Sequence, residues 1–212
     1  MKQFRKDFPA LMRDDPVAYL DNACVTLKPQ SVIDAIQDYY INSPGCGGRS
    51  VHRYGTHVSK TISQSRKKLS DFFSSPSVNE IVFTRNATHS LNQIAKGLEW
   101  NRGDVVLTTD REHNSNLVPW LQLEQEQGID HRIVRSNHDN TFNLESFEEA
   151  CANAGSKLKM VSMSHVGNLD GVEIPVKDIT KIAKDYGALV SIDGAQSAPH
   201  MSVDVQDLGI DF

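Results

Sequence analysis

Asp193 is the clearest candidate for a functional residue in this sequence, because it follows the apolar run ALVSI at residues 188–192. Apolar, β-branched residues that end on a carboxylate and then a glycine are typical of a buried parallel strand opening into a loop. Ligands of open α/β sheets bind at that end of the strands. A carboxylate there is costly to desolvate unless it meets a positive group. The sequence therefore raises the question of which cation Asp193 meets.

Three further loops that follow predicted strands carry polar side chains. Residues 86–88 (Asn-Ala-Thr) start a helix, where backbone N–H groups, the helix dipole and the Thr88 hydroxyl could hold an anion. Simple helix capping by these residues is the alternative. His113 could stack on a planar ligand or move a proton, or it could be merely solvated. Asn168 could orient a polar ligand group, or it could serve only the turn beside its neighbouring glycine.

Taken together, the residue types in these loops suit a single ligand, an aromatic cation that carries a phosphate group. Pyridoxal 5'-phosphate (PLP) fits this description. Its phosphate would lie at the helix start beside Thr88, its ring under His113, and its protonated ring nitrogen against Asp193. That charge pair keeps the ring protonated, which makes it an electron sink.

A mostly parallel sheet must bring these loops to one edge. The pattern predicts a first helix starting near residue 28 and further helices at 58–73, 87–98, 116–127, 144–154 and 175–186. Strands are predicted at 18–22, 80–84, 104–109, 131–134, 159–164 and 188–193. This alternation indicates an α/β fold with three layers, α/β/α, around a mostly parallel central sheet. Residues 1–17 are interpreted as an N-terminal arm and residues 18–212 as one domain.

Composition sets limits on partners and location. The 212 residues, 39% hydrophobic and 23% charged, suit one globular α/β domain. A net charge of -5 argues against a nucleic-acid partner, since phosphate neutralisation needs a basic face. No membrane span or secretory signal is evident, which predicts a cytoplasmic protein. Cys24, Cys46 and Cys151 have neither metal-ligand nor disulfide spacing, so neither a metal site nor a disulfide is expected.

Several motifs resemble, in order and spacing, the N-terminal part of class V aminotransferases. These are fold-type I PLP enzymes, and the chain most resembles the cysteine desulfurase and selenocysteine lyase branch. The resemblance covers about residues 19–212, nearly the whole chain. Each motif alone is weak, but together they are specific: YLDNA from Tyr19, SVHR from Ser50, NAT from Asn86, EHNSNLVPW from Glu112, HVGN from His165, and SIDGAQ from Ser191 with His200.

The resemblance implies a cofactor role for each of five residues. Ala87 and Thr88 would bind the phosphate of PLP. His113 would stack on the ring and act as the catalytic acid/base. Asp193 would pair with the ring nitrogen, and Gln196 would hydrogen-bond to the ring hydroxyl.

The resemblance also implies residues near the substrate. Asn168 would lie beside the ring hydroxyl or the substrate carboxylate. His52 and Arg53 would lie near the substrate entrance and a dimer interface, although a solvated loop is the alternative for these two. One departure from the family is His89, which stands where relatives often have Glu, and little effect on cofactor binding is expected.

A second departure concerns the cofactor-binding lysine. In the family, a Ser-x-His-Lys segment supplies the lysine that forms the Schiff base, and the resemblance places it after residue 212. The persulfide-forming cysteine and the C-terminal small domain would also lie later. The three cysteines of this chain are therefore not assigned that role. The large domain is expected to be incomplete and inactive alone.

The predicted function is that of the N-terminal part of a PLP-dependent cysteine desulfurase-like enzyme, a lyase or transferase. The complete protein would remove sulfur from L-cysteine to give alanine and an enzyme persulfide. Alternatives are transamination, epimerisation or kynurenine cleavage, or a truncated scaffold without catalysis. Family members are homodimers, so a homodimer is expected for the complete enzyme, with a sulfur-acceptor protein as a possible partner.

Overall fold

The computed structural model describes residues 4–15 and 18–212. Its contacts divide the chain into two compact units, residues 1–69 and 70–212, which are described separately. The predicted boundary between an arm and a domain falls at residues 16–17, outside the described residues. That boundary stays a prediction.

The first unit contains two 3-10 turns, Arg5–Asp7 and Pro9–Leu11, then α1 (Gln30–Asn42) and most of α2 (Arg53–Phe72). The strand predicted at residues 18–22 is wrong. This segment leads into a turn, and the Tyr19 hydroxyl donates to the backbone carbonyl of Val25 at 2.6 Å. Leu20 is 93% exposed, so the apolar side chain that favoured a strand here is not buried.

The second unit carries the predicted alternation of strands and helices. Two 3-10 turns, Val78–Glu80 and Gly155–Lys157, supplement it. Its main elements, in chain order, are α3 (Ala87–Gly97), β1 (Val105–Thr109), α4 (Asn114–Gln127), β2 (Asp130–Val134), α5 (Leu144–Ala154), β3 (Leu158–Ser164), α6 (Val176–Asp185), β4 (Leu189–Asp193) and α7 (Val205–Leu208).

All four strands are parallel, in the order β2-β1-β3-β4. The chain moves outward from β1 to β2 and then crosses back to β3 on the other side of β1. The direction in which successive strands are added to the sheet therefore reverses between β1 and β3. Ligand crevices of α/β proteins open at such a switch point, outside the carboxyl ends of the strands.

Helices cover both faces of this sheet, which confirms the predicted three-layer α/β/α fold. On one face, Val106 and Met160 pack with Trp120 of α4 and Ala95 of α3. The opposite face packs against α5 and α6. Its fully buried side chains include Leu107, Phe147, Val161, Met163, Ile179 and Val190. Alternating strand residues thus enter two separate cores, as the near-continuous apolar strands require.

The strand predicted at residues 80–84 is also wrong. A 3-10 turn, Val78–Glu80, occupies its start, and residues 81–84 run outside the four-stranded sheet. Val82 and Phe83 are 68% and 49% exposed. The run IVFT has the composition of a strand, but composition alone does not determine whether a segment joins a sheet.

The segment at residues 211–212 runs beside β4. The backbone N–H groups of Asp211 and Phe212 donate to the Val190 carbonyl at 2.9 and 3.1 Å, and Ile192 donates to Phe212 at 3.0 Å. Across residues 4–15 and 18–212, we find no helix long and apolar enough to cross a membrane.

Candidate functional site

The loop after β1 carries three consecutive charged residues, Asp110, Arg111 and Glu112. Towards β2, Asp110 Oδ1 accepts the backbone N–H of Ser136 at 3.2 Å and its hydroxyl at 2.7 Å. Towards β3, the Arg111 guanidinium donates to Asp170 and forms an ion pair with it. The loop is thus joined to the segments that follow both strands flanking β1.

Glu112 joins three elements immediately before His113. Its Oε1 accepts the Thr109 hydroxyl at 2.6 Å and the Ser164 N–H at 3.1 Å. Its Oε2 accepts the Asn116 amide at 2.7 Å and the Ser164 hydroxyl at 2.8 Å. Burial raises the pKa of this carboxyl, although these hydrogen bonds act in the opposite direction. Glu112 therefore connects the ends of β1 and β3 to the start of α4.

His113 is the N-terminal cap of α4. Its Nδ1 accepts the backbone N–H of Ser115 at 3.1 Å, so a neutral ring carries its proton on Nε2. The Ser115 hydroxyl lies 2.9 Å from the same nitrogen and 2.7 Å from the Thr88 hydroxyl. The chain of contacts Thr88–Ser115–His113 brings the start of α3 to the start of α4.

The N-terminus of α3 offers backbone amides and a hydroxyl. Asn86 caps the helix: its side chain accepts the His89 N–H at 2.9 Å, and its carbonyl accepts the Ser90 N–H at 3.2 Å. In the part of the chain that the structure describes, the amides of Ala87 and Thr88 have no acceptor. The helix dipole adds partial positive charge here. Capping by Asn86 and anion binding by the next two residues are therefore compatible.

Asp193 ends β4 and is the register partner of Ser164 on β3. Its carbonyl accepts the His165 N–H at 3.0 Å, and its Oδ1 accepts the Ala195 N–H at 3.0 Å. The residue is partly buried, as is Gln196 in the following turn. Asp193 thus lies at the carboxyl edge of the sheet, in line with the residue that binds Glu112.

The loop after β3 places Asn168 in an exposed turn. At the base of this loop, His165 is 4% exposed, and burial lowers its pKa against the opposing effect of Glu173, whose carboxylate lies 3.8 Å away. The Gly167 N–H donates to the Val172 carbonyl at 2.9 Å. The backbone of the loop is therefore folded on itself, with Asn168 at its end.

Six predicted cofactor residues lie at or beside the carboxyl edge of the sheet. The loops after β1 and β4 are separated by about 10 Å, which is two interstrand spacings. Thr88 reaches the same edge through its contact with Ser115, although no strand precedes its helix. The roles of these six residues in cofactor binding stay predictions: Ala87, Thr88, His113, Asn168, Asp193 and Gln196.

His52 and Arg53 belong to the first unit, and both are exposed. His52 precedes α2, and its Nδ1 accepts the Gly55 N–H at 3.4 Å, so the ring caps the helix. Its ring also meets that of Tyr54 edge-on, with centroids 6.2 Å apart. Their predicted role near the substrate stays a prediction.

Sequence reasoning missed the supporting residues of this site. Glu112 and Ser115 belong to a family motif that does not indicate this supporting role, and Arg111 and Asp170 belong to no motif. The three consecutive charges directly after a buried strand are a signal of a loop held by polar contacts, because charged groups at such a position need partners. Three of these partners, Ser136, Ser164 and Asp170, are distant in sequence.

The donor set at this edge fits the parts of PLP. The free amides of Ala87 and Thr88 with the Thr88 hydroxyl suit a phosphate. The exposed ring of His113 suits stacking, and the carboxylate of Asp193 suits a protonated ring nitrogen. No cluster of three metal-ligating side chains occurs within residues 4–15 and 18–212.

Comparisons with known proteins identify the family of this chain. A family model described as aminotransferase class-V matches residues 18–212. A probable cysteine desulfurase of Halalkalibacterium halodurans is 37% identical in an alignment of 216 positions, which covers 99% of this chain and 52% of that protein. The chain thus spans about half the length of the curated relatives it matches.

Solved structures give the same picture. The apo structure of a cysteine desulfurase from Thermococcus onnurineus NA1 matches with a TM-score of 0.90 and 36% identity, over 99% of this chain and 51% of that one. A mutant of C-DES with glycine covalently linked to the PLP cofactor matches with a TM-score of 0.85 and 25% identity, over 98% of this chain and 53% of that one.

Proposed function

The chain belongs to the aminotransferase class-V family, and on that premise we propose that it is the N-terminal part of a PLP-dependent cysteine desulfurase-like enzyme. The complete protein removes sulfur from L-cysteine to give alanine and an enzyme persulfide. The observation that carries the proposal is the contact chain Thr88–Ser115–His113, which starts at a helix N-terminus and lies at the same sheet edge as Asp193.

Each end of the cofactor has its own set of residues in this proposal. The amides of Ala87 and Thr88, with the Thr88 hydroxyl, hold the phosphate. The Asp193 carboxylate keeps the ring nitrogen protonated, and the Gln196 amide donates to the ring hydroxyl. When bound, PLP supplies an electron sink for bond breaking in the amino-acid substrate.

His113 stacks on the ring and moves a proton at Nε2. This follows from the Ser115 N–H, which donates to Nδ1 at 3.1 Å and leaves Nε2 as the protonated nitrogen of the neutral ring. A neutral imidazole has one ring nitrogen that donates a proton and one that accepts a proton, which suits an acid/base step. Glu112 fixes the backbone before His113 through its hydrogen bonds to Thr109, Asn116 and Ser164.

The remaining parts of the proposal concern the substrate and partners. Asn168 lies beside the ring hydroxyl or the substrate carboxylate, and His52 and Arg53 lie near the substrate entrance. The complete enzyme is a cytoplasmic homodimer and passes sulfur to an acceptor protein. An amino-acid substrate is supported by one solved neighbour, SspA, which is 26% identical and is in complex with cysteine.

The test uses the complete gene product, with alanine and sulfide released from L-cysteine in the presence of a reductant as the readout. Asp193→Asn should lower kcat by at least about a hundredfold while PLP still binds, because a neutral amide cannot keep the ring nitrogen protonated. Asp185→Asn, an exposed matched control on α6, should stay within about twofold of the wild type. Absence of PLP binding by the wild type would refute the proposal, and release of keto acid instead of alanine would favour transamination.

A further inference from the structure

The ion pair between Arg111 and Asp170 joins two loops that each carry a predicted site residue. Arg111 lies two positions before His113 in the loop after β1, and Asp170 lies two positions after Asn168 in the loop after β3. The guanidinium donates to Asp170 Oδ2. The side chains are only 29% and 23% exposed, so water and salt screen their attraction less than at an open surface.

Asp170 also organises its own loop. Its second oxygen, Oδ1, accepts the Val172 N–H at 3.1 Å. A Cβ atom at Gly167 would meet this same oxygen, so a larger residue there requires the Asp170 carboxylate to shift. Asn168 therefore sits between two residues whose positions depend on each other.

The pair spans the switch point of the sheet. The chain leaves β1 towards α4 on one face and leaves β3 towards α6 on the other, so a crevice opens between these two strands. The contacts of Glu112 join the strands at Ser164. The contact of Arg111 with Asp170 extends this connection beyond the strand, to the turn that holds Asn168.

We propose that Arg111 and Asp170 are positioning residues, whose ion pair holds Asn168 in place at the crevice. The contact of Asn168 with PLP, at the ring hydroxyl, rests on the proposed function, whereas the restraint on the loop does not. A side chain that is already ordered loses less conformational entropy on binding. Without the ion pair, the loop would become ordered only when the cofactor binds, and the entropy lost in that step would lower the affinity for the cofactor.

The test uses the complete gene product and two measurements. Amide hydrogen exchange of residues 165–172, without cofactor, reports on the order of the loop. The dissociation constant of PLP, from its change in absorbance, reports on the site. The variants are Arg111→Gln and Asp170→Asn, and the second retains an acceptor for Val172. Lys177→Gln is the matched control, because it removes an ion pair with Asp207 on another part of the second unit.

Arg111→Gln and Asp170→Asn should each accelerate exchange in the loop and weaken PLP binding by about two- to fivefold, and Lys177→Gln should do neither. A merely structural role would not depend on Asn168. Arg111→Gln should therefore have no further effect on PLP binding when Asn168→Ala is already present.

Three results would overturn the proposal. The first is PLP binding equal to that of the wild type in both single variants. The second is an equal weakening of PLP binding by Arg111→Gln with and without Asn168→Ala. The third is unchanged hydrogen exchange of the loop in both single variants. If the wild type fails to bind PLP, the proposed function fails, and the exchange measurement alone then decides whether the ion pair restrains the loop.

Discussion

The hydroxyl oxygens of Thr88 and Ser115 lie 2.7 Å apart, although 27 residues separate them in the chain. Ser115 also contacts His113 Nδ1 through both its hydroxyl and its backbone N–H. A residue proposed to bind phosphate and a residue proposed to stack on the ring are therefore connected through one serine. This connection makes the two halves of the proposed cofactor site structurally dependent on each other.

Ser115→Ala should weaken PLP binding by the complete gene product about two- to tenfold, the equivalent of one lost hydrogen bond. His113 Nδ1 still accepts the backbone N–H of residue 115 and caps α4, so the melting temperature should change little. Titration calorimetry with PLP measures the effect, and the exposed Ser156→Ala is the control. Equal affinities of Ser115→Ala and the wild type would show that the hydroxyl chain contributes nothing.

Glu112→Gln should destabilise the protein by about 1–3 kcal/mol, because an amide group then faces donors that need acceptors. Chemical denaturation measures this loss, with the exposed Glu149→Gln as control.

The loss from Glu112→Gln should also depend on pH. The folded-state pKa of Glu112 is raised above its ordinary value of 4.5, so the folded state binds the proton more tightly than the unfolded state does. The resulting stabilisation is fully present below pH 4.5. This contribution disappears as the pH rises through the raised pKa. Glu112→Gln should therefore cost more at about pH 4.5 than at about pH 8. A cost that grows with pH would contradict the assigned shift.

His131 should make the protein less stable in mild acid. Burial lowers the pKa of its ring, against the opposing effects of Glu124 and Asp130, and its Nε2 lies 2.8 Å from the Thr108 hydroxyl. A histidine with a lowered folded-state pKa stabilises the fold above its ordinary pKa, and this is lost as the pH falls through the folded value.

His131→Gln should therefore flatten the decline of unfolding free energy between about pH 7 and pH 5. Denaturant titrations at several pH values measure the slope. The exposed His138→Gln should leave it unchanged, and an equal effect of the two variants would argue against a special role of His131.

Cys151 should resist thiol reagents in the folded protein. Burial, with a smaller effect of Glu148, raises the pKa of its thiol to about 12, and the thiolate is the reactive form. Cys24 and Cys46 are exposed. Ellman's reagent should thus find two thiols in native protein of residues 1–212 and a third after denaturation. In Cys151→Ala the third should be absent, and rapid native labelling of Cys151 would refute the prediction.

Local pattern was sufficient to predict β1 to β4 and the helices between them, because buried parallel strands and amphipathic helices each leave a periodic signal in their own residues. Pattern was insufficient at residues 18–22 and 80–84. There the composition favours a strand, but strand formation depends on a partner elsewhere in the chain.

The same distinction applies to the site. The sequence predicts four site residues from their types, since each follows or starts a regular element: Thr88, His113, Asn168 and Asp193. A parallel sheet predicts their common edge, but their order along it and their supports were decided by the tertiary structure: the order β2-β1-β3-β4 and contacts such as Glu112 with Ser164 and Arg111 with Asp170. Sequence specifies which groups are present and where local elements begin and end. Long-range pairing alone determines which groups meet, because parallel strands adjacent in space are separated in the chain by whole helices.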